Sequence, residues 1–211
     1  MGVFYLMIFI RYLLILKTKL DNMKKIIKLT EKDLNRIVRQ VIKEQASGKS
    51  FNIYLAGPNV FKRDAIEDLN SMKEISKKYN QIGNAPLDNV VDFETSDVAT
   101  RIFQGNVDMM DNCDVIIANL EPFRGPNMDD GTAFEIGYGF AKGMLMYGYM
   151  THHDKELKDI TSSLYGKDEK FPHVEDFKYP RNLMIVDSIR SSGGKILATF
   201  EDCVQDLVKS H

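Results

Sequence analysis

Three groupings in the sequence have the residue types and spacing for chemistry. In the first, Asp129 and Asp130 lead into Gly131-Thr132-Ala133-Phe134-Glu135-Ile136-Gly137, a loop entering a helix. This reading puts Glu135 in the first turn of that helix, where the positive end of the helix dipole keeps a carboxylate ionised. A fixed carboxylate in a cleft is what nucleophilic attack on a sugar carbon requires. A second carboxyl, protonated when needed, would help the leaving group depart, and Asp108 and Asp129 are the candidates. Glu135 also sits between apolar Phe134 and Ile136, and burying a carboxylate there without a use is costly. Plain helix capping accounts for one of Asp129, Asp130 and Thr132.

In the second, Asp108, Asp111 and Asp114 recur at intervals of three, with the first two on one helix face. A solvated acidic face explains that spacing as well as a site does. The third is Tyr54-Leu55-Ala56-Gly57-Pro58, where an apolar run meets a turn. Gly57 permits close backbone approach and Pro58 fixes the turn, but no Gly-x-Gly-x-x-Gly dinucleotide fingerprint follows. An ordinary strand-to-helix turn fits equally well. The four histidines (His152, His153, His173, His211) lack metal-ligand spacing, and two cysteines (Cys113, Cys203) are too few for a structural zinc site or a disulfide framework. No metal and no cofactor are expected.

The elements that must position these residues alternate. Residues 51–56 read as a strand running into a turn, and 60–79 as a helix with Ile66, Leu69, Met72 and Ile75 on its apolar side. Ala85-Pro86-Leu87-Asp88-Asn89 reads as a strand end and loop. Residues 97–112 are helical, with Val98, Ile102, Val107 and Met110 marking the apolar side. Residues 115–120 are a buried strand, 132–142 a helix closed by Gly143, and 144–150 a further strand. Residues 183–186 supply another strand and 200–208 a terminal helix, while 151–180 form a polar insertion. Strands alternating with helices predict a parallel sheet covered on both faces, with ligands outside the carboxyl ends of the strands where strand order reverses.

Composition narrows the class. At 211 residues, 44% hydrophobic and 27% charged, the chain suits one soluble α/β domain and is neither disordered nor fibrous. The net charge of −2 argues against a protein built to grip nucleic acid. That charge is unevenly spread: residues 1–50 hold 11 Lys/Arg against 4 Asp/Glu, leaving 17 bases against 26 acids beyond. The basic leader opens with an apolar stretch, residues 3–16, whose helical rise of about 21 Å falls short of a bilayer core of roughly 30 Å. It lacks the features of a secretory signal, and Met23 opens a better-behaved segment. Thr30-Glu31-Lys32-Asp33 begins an amphipathic helix carrying Leu34, Ile37, Val38, Val41 and Ile42, with a linker at residues 46–50. The expected division is therefore an N-terminal extension, 1–50, and a catalytic domain, 51–211, in the cytoplasm, with no membrane contact.

The motifs occur in a telling order: Ile53-Tyr54-Leu55-Ala56-Gly57-Pro58, Pro86-Leu87-Asp88-Asn89, Asn106-Val107-Asp108, Cys113-Asp114-Val115-Ile116-Ile117-Ala118, Pro122-Phe123-Arg124-Gly125, Asp129 to Gly137, and Asn182-Leu183-Met184. Together they resemble the nucleoside 2-deoxyribosyltransferase family. The resemblance implies a flavodoxin-like, five-stranded parallel sheet with helices on both faces and a retaining two-step transfer between 2′-deoxynucleosides and free nucleobases. It implies Glu135 as nucleophile, Tyr54 holding it, Asp108 at the sugar or base, and Asp129 at the leaving or incoming base. It assigns substrate contacts to Gly57, Pro58, Asp88, Asn89, Gly131, Asn182 and Met184, the last two reaching a neighbouring subunit's site in a homo-oligomer, dimer or hexamer. A deoxyribosyl centre reaches an oxocarbenium-like state readily, so carboxylates suffice. Val90 stands where some members have Gln, and no role is carried over to the terminal carboxylate of Lys209-Ser210-His211.

Two alternatives remain open from sequence. One is an N-glycosidic hydrolase of nucleoside 5′-monophosphates, which needs a phosphate grip. Here the first loop carries Pro58 and Phe61, leaving Lys62, Arg63 or Arg124 for that task. The other is a non-catalytic nucleotide-sensing module.

Overall fold

The computed structural model describes residues 50–211 apart from residues 93, 95, 167, 168 and 171. The apolar stretch, the helix expected from Thr30 and the linker up to residue 49 lie outside the described residues. Strands β1 (Asn52–Ala56), β2 (Ile82–Asn84), β3 (Val115–Asn119), β4 (Leu145–Tyr149) and β5 (Ile196–Leu197) form one sheet in the order β2-β1-β3-β4-β5. Every pairing is parallel. The chain moves outward from β1 to β2 and then crosses to β3 on the other side, so strand order reverses between β1 and β3. In register, Tyr54 lies opposite Ile116 and Ala56 opposite Ala118.

Both faces of the sheet are covered, which is why β3 is buried throughout and shows no polar alternation. On one face Ile53, Leu55, Val115 and Ile117 pack with Leu69 and Met72 of α1 (Ala65–Lys78) and with Phe200, Cys203, Val204 and Leu207 of α6 (Phe200–Ser210). The other face joins Tyr54, Ala56, Ile116 and Ala118 to four helices. These contribute Met110 from α2 (Val98–Asp111), Ile136 from α3 (Asp130–Lys142), Ile160 from α4 (Leu157–Leu164) and Ile189 from α5 (Leu183–Ser191). The two-residue period of β1 thus sends the Tyr54 side chain toward α3 while its neighbours Ile53 and Leu55 face α1.

The largest correction concerns residues 183–186, expected as a strand. They are the first turn of α5, capped by Asn182, whose side-chain oxygen accepts from the Met184 N–H at 3.0 Å. Burial of Val186 and Ile189, three apart, follows the helical period, and an apolar run of four is too short to reveal it. The fifth strand is the two-residue β5, held to β4 through Gly148 and Tyr149. The 151–180 insertion contains α4.

Smaller corrections follow from caps. Pro58–Phe61 forms a single 3-10 turn, so α1 starts at Ala65 and leaves Ile66 exposed. In α2, Met110 is buried but Ile102 is exposed. α3 begins two residues before Thr132 and closes at Gly143, whose φ of 69° is the left-handed conformation that suits glycine. Among the described residues no helix is long and apolar enough to cross a membrane.

Candidate active site

At the point of strand reversal, the Tyr54 hydroxyl donates to Glu135 Oε1 at 2.6 Å. Tyr54 is fully buried in β1 and Glu135 is partly buried on α3, 81 residues later. Glu135 makes no other hydrogen bond among the described residues, which leaves Oε2 unengaged. Helix α3 begins at Asp130 with Asp129 as its cap, accepting from Thr132 N at 2.9 Å and from Thr132 Oγ1 at 3.0 Å. This corrects the placement of Glu135. It lies in the second turn, beyond the reach of the helix terminus, whose influence fades within the first turn.

The electrostatics change accordingly. Burial pushes the Glu135 carboxyl from 4.5 up to about 7, the Tyr54 hydrogen bond pulls it down, and the charge of Asp129 pushes it up again. Glu135 is therefore poised between its two forms at neutral pH rather than held ionised. Burial and the Glu135 charge raise the Tyr54 hydroxyl well above its ordinary range, so it stays a hydrogen-bond donor.

A buried amide network fixes the loops around this pair. Asn119 Nδ2, at the end of β3, donates to Asn59 Oδ1 at 2.9 Å, and Asn59 Nδ2 donates to Asp68 Oδ2 at 2.6 Å. Asn119 Oδ1 accepts from Glu121 N, and Glu121 in turn accepts from Thr151 N at 2.6 Å. The loops after β1, β3 and β4 are thereby linked. Gly57 (φ 153°) is required here, since an added Cβ would lie 2.6 Å from Asn119 Cβ. Beneath the β3 loop, buried Arg181 donates to the Leu120 carbonyl at 2.6 Å. Desolvation lowers its guanidinium to about 10, against the opposing pull of Glu121. Asn59, Asn119 and Arg181 carried no sequence signal beyond being polar residues next to apolar runs.

The structure sorts the remaining expected residues. Pro58 opens the 3-10 turn. Gly131 leaves room for the Asp129 carboxylate, 3.1 Å from where its Cβ would be. Asp88 holds its own turn, accepting from Ala85 N at 2.8 Å and pairing with Lys73. Asn89 Nδ2 donates to Asn106 Oδ1 at 2.9 Å. Asn106 is thus the α2 residue that reaches the loop after β2. Asp108, two residues on, projects from a different side of the helix, is exposed, and accepts from Gln104 at 2.8 Å. Among the described residues it makes no hydrogen bond to Tyr54, Asp129 or Glu135. Asp111 pairs with Tyr138 and Lys142, and Asp114 accepts from Asn52 N, which are structural uses. Asn182 and Met184 are exposed at the start of α5 and make no hydrogen bond to the Tyr54–Glu135 pair. A cavity of about 530 Å³ lies beside the cluster, lined by residues 123–130 with Thr161 and Tyr165. Asp129 belongs to both.

The arrangement is that of a carboxylate aimed by a phenol, with a second carboxylate fixed close by. The family model described as nucleoside 2-deoxyribosyltransferase matches residues 53–184. An uncharacterised protein of Schizosaccharomyces pombe is 31% identical over 173 residues, covering 70% of this chain and 81% of that protein. The solved structure of a 2-deoxyribosyltransferase from Leishmania mexicana is 33% identical, with a TM-score of 0.63 over 76% of this chain and 98% of that one. A conserved protein from Enterococcus faecalis shares the fold at 19% identity and a TM-score of 0.53, over 77% of this chain and 100% of that one.

The raised Glu135 carboxyl has a consequence for stability. It titrates at 4.5 when unfolded and at about 7 when folded, so folding takes up a proton between those values. Stability then falls as pH rises through that window, by roughly 3 kcal/mol, and the penalty is complete above it. Glu135→Gln, an uncharged mimic, is expected to melt higher than wild type at pH 8 and alongside it at pH 4.5. Thermal unfolding across pH checks this, and equal melting curves at pH 8 would contradict it.

Proposed function

The chain belongs to the nucleoside 2-deoxyribosyltransferase family, and we propose that it exchanges the base of 2′-deoxynucleosides through a covalent deoxyribosyl ester on Glu135, with retention at C1′. The 2.6 Å contact between Tyr54 and Glu135 carries this reading. Tyr54 fixes Oε1 and disperses its charge, and Oε2 attacks C1′ as the bond to the base breaks. The bonding pair leaves with the base, which the Asp129 carboxylate positions by accepting hydrogen bonds. An acceptor base then attacks C1′ from the face the first base vacated, and the carboxylate is released. Two inversions give net retention.

Burial helps twice. It keeps water from the ester and strengthens the Tyr54 hydrogen bond. Exposed Phe103 on α2, Phe134 and Phe140 on α3 and Met184 on α5 support a homo-oligomer. The monophosphate hydrolase is less well supported, because Lys62 is already paired with Asp68 and Pro58 offers no N–H. A cytoplasmic, salvage role completes the reading.

Chromatography of products from one 2′-deoxynucleoside, with and without a second free base, tests it. A new deoxynucleoside is expected only with the acceptor, and Glu135→Ala should lose at least about a thousandfold in rate. Free base formed at one rate regardless of acceptor would instead mean hydrolysis, and no turnover would favour the sensing module. A second expectation concerns pH. Since the attacking form is ionised, kcat/KM rises with pH through about 7. Tyr54→Phe removes the bond that lowers the Glu135 carboxyl, so the midpoint moves upward, and an unmoved midpoint would contradict the assigned role.

A further inference from the structure

The loop of residues 123–130 delivers Asp129 to the site and also encloses, with α4, the 530 Å³ cavity. That volume lies within the range of small-molecule sites. Neither Tyr54 nor Glu135 lines it, but Asp129, whose charge acts on Glu135, does. Thr161 of α4 and Tyr165, the residue that caps the end of α4, line it as well.

This part of the lining is held firmly. Leu157 and Ile160 are buried, and Leu157 N donates to the Tyr179 carbonyl at 2.7 Å. Lys158 and Lys178 each pair with both Glu156 and Asp176, at 3.0 to 3.3 Å, tying α4 to the chain that returns to α5. A surface set on a fixed helix needs little ordering when a ligand binds. Tyr165 closes α4, its N–H donating to the Thr161 carbonyl, and its ring lies beside Gly125, where an added Cβ would come within 4.0 Å. Tyr165 is 63% exposed, and neither its hydroxyl nor that of Thr161 makes a side-chain hydrogen bond among the described residues. Phe123 and Met128 also line the cavity, together with Arg124, Asn127 and Asp130. The exposed aromatic ring and the unspent hydroxyls, with polar Asn127 in the same lining, suit a planar heteroaromatic ring, which offers a face to stack and an edge to hydrogen-bond.

We infer that Thr161 and Tyr165 are the base-selecting wall of the site. Tyr165 stacks on the nucleobase, Thr161 hydrogen-bonds its edge, and Asp129 stands between the base and Glu135. This rests on the proposed base exchange only in calling the bound base a reactant, because base binding is measurable without turnover.

Calorimetric titration of the full chain with free adenine and with free thymine is the test, run on wild type, Tyr165→Ala, Tyr165→Phe and Thr161→Val. Tyr165 is exposed, so its variants are expected to retain the fold, which melting curves check. Tyr165→Ala should weaken base binding about tenfold while Tyr165→Phe stays within about twofold. Thr161→Val should change the ratio of adenine to thymine affinity. Equal affinity in wild type and Tyr165→Ala, or no binding of either base to wild type, would overturn the assignment. The companion exchange assay separates the two readings. Base binding that depends on Tyr165 without any exchange would refute the transferase and keep the wall. Exchange with an unaltered KM for the base in Tyr165→Ala would refute the wall and keep the transferase.

Discussion

A carboxylate placed against the apolar face of a parallel sheet is the constraint around which this structure is organised. Left alone there, Glu135 would simply take a proton. The Tyr54 hydroxyl opposes that tendency with a short hydrogen bond from inside the sheet, and the balance leaves the carboxyl near neutrality at about 7. For the proposed exchange, a carboxylate of this kind has two virtues. It is dry enough to be reactive, and it is available in the ionised form at ordinary pH. Both depend on β1 presenting Tyr54 to one face while Ile53 and Leu55 hold the other.

The loops at the strand ends supply precision. Asn59 and Asn119 join the turns after β1 and β3 through a buried amide contact, and Gly57 lets the two backbones approach. Asp129 combines two tasks, since the oxygen that caps α3 belongs to the same carboxylate that charges the surroundings of Glu135. A helix start and an acid–base environment are thus set by one residue, which ties the chemistry to local folding. The buried Arg181 restrains the same loop from below through the Leu120 carbonyl.

How legible this was in the sequence differed by feature, for physical reasons. The alternation of strands and helices was legible because long apolar runs and helical periods are local signals. The stretch from Asp129 to Gly137 was legible as a loop entering a helix, and Tyr54 as a strand residue before a glycine turn. Residues 183–186 were not, because four apolar residues fit both periods and the deciding factor, the Asn182 cap, is equally common in turns. The position of Glu135 within its helix shifted because Asp129 capped where Thr132 also qualified. Choosing between Asn106 and Asp108 required knowing which side of α2 faces the loop after β2. Asn59, Asn119 and Arg181 were invisible because their partners lie about 60 residues away, across strands that only the fold makes neighbours.

The claim on which everything else depends is that Glu135 itself takes the sugar. Mixing the full chain with a 2′-deoxynucleoside and no acceptor, quenching in acid and mapping peptides by mass spectrometry tests it directly. The account predicts a single deoxyribosyl group on the peptide containing Glu135, lost when a free base is added before the quench. Release of base with no adduct at any time point, or an adduct confined to another residue, would contradict it.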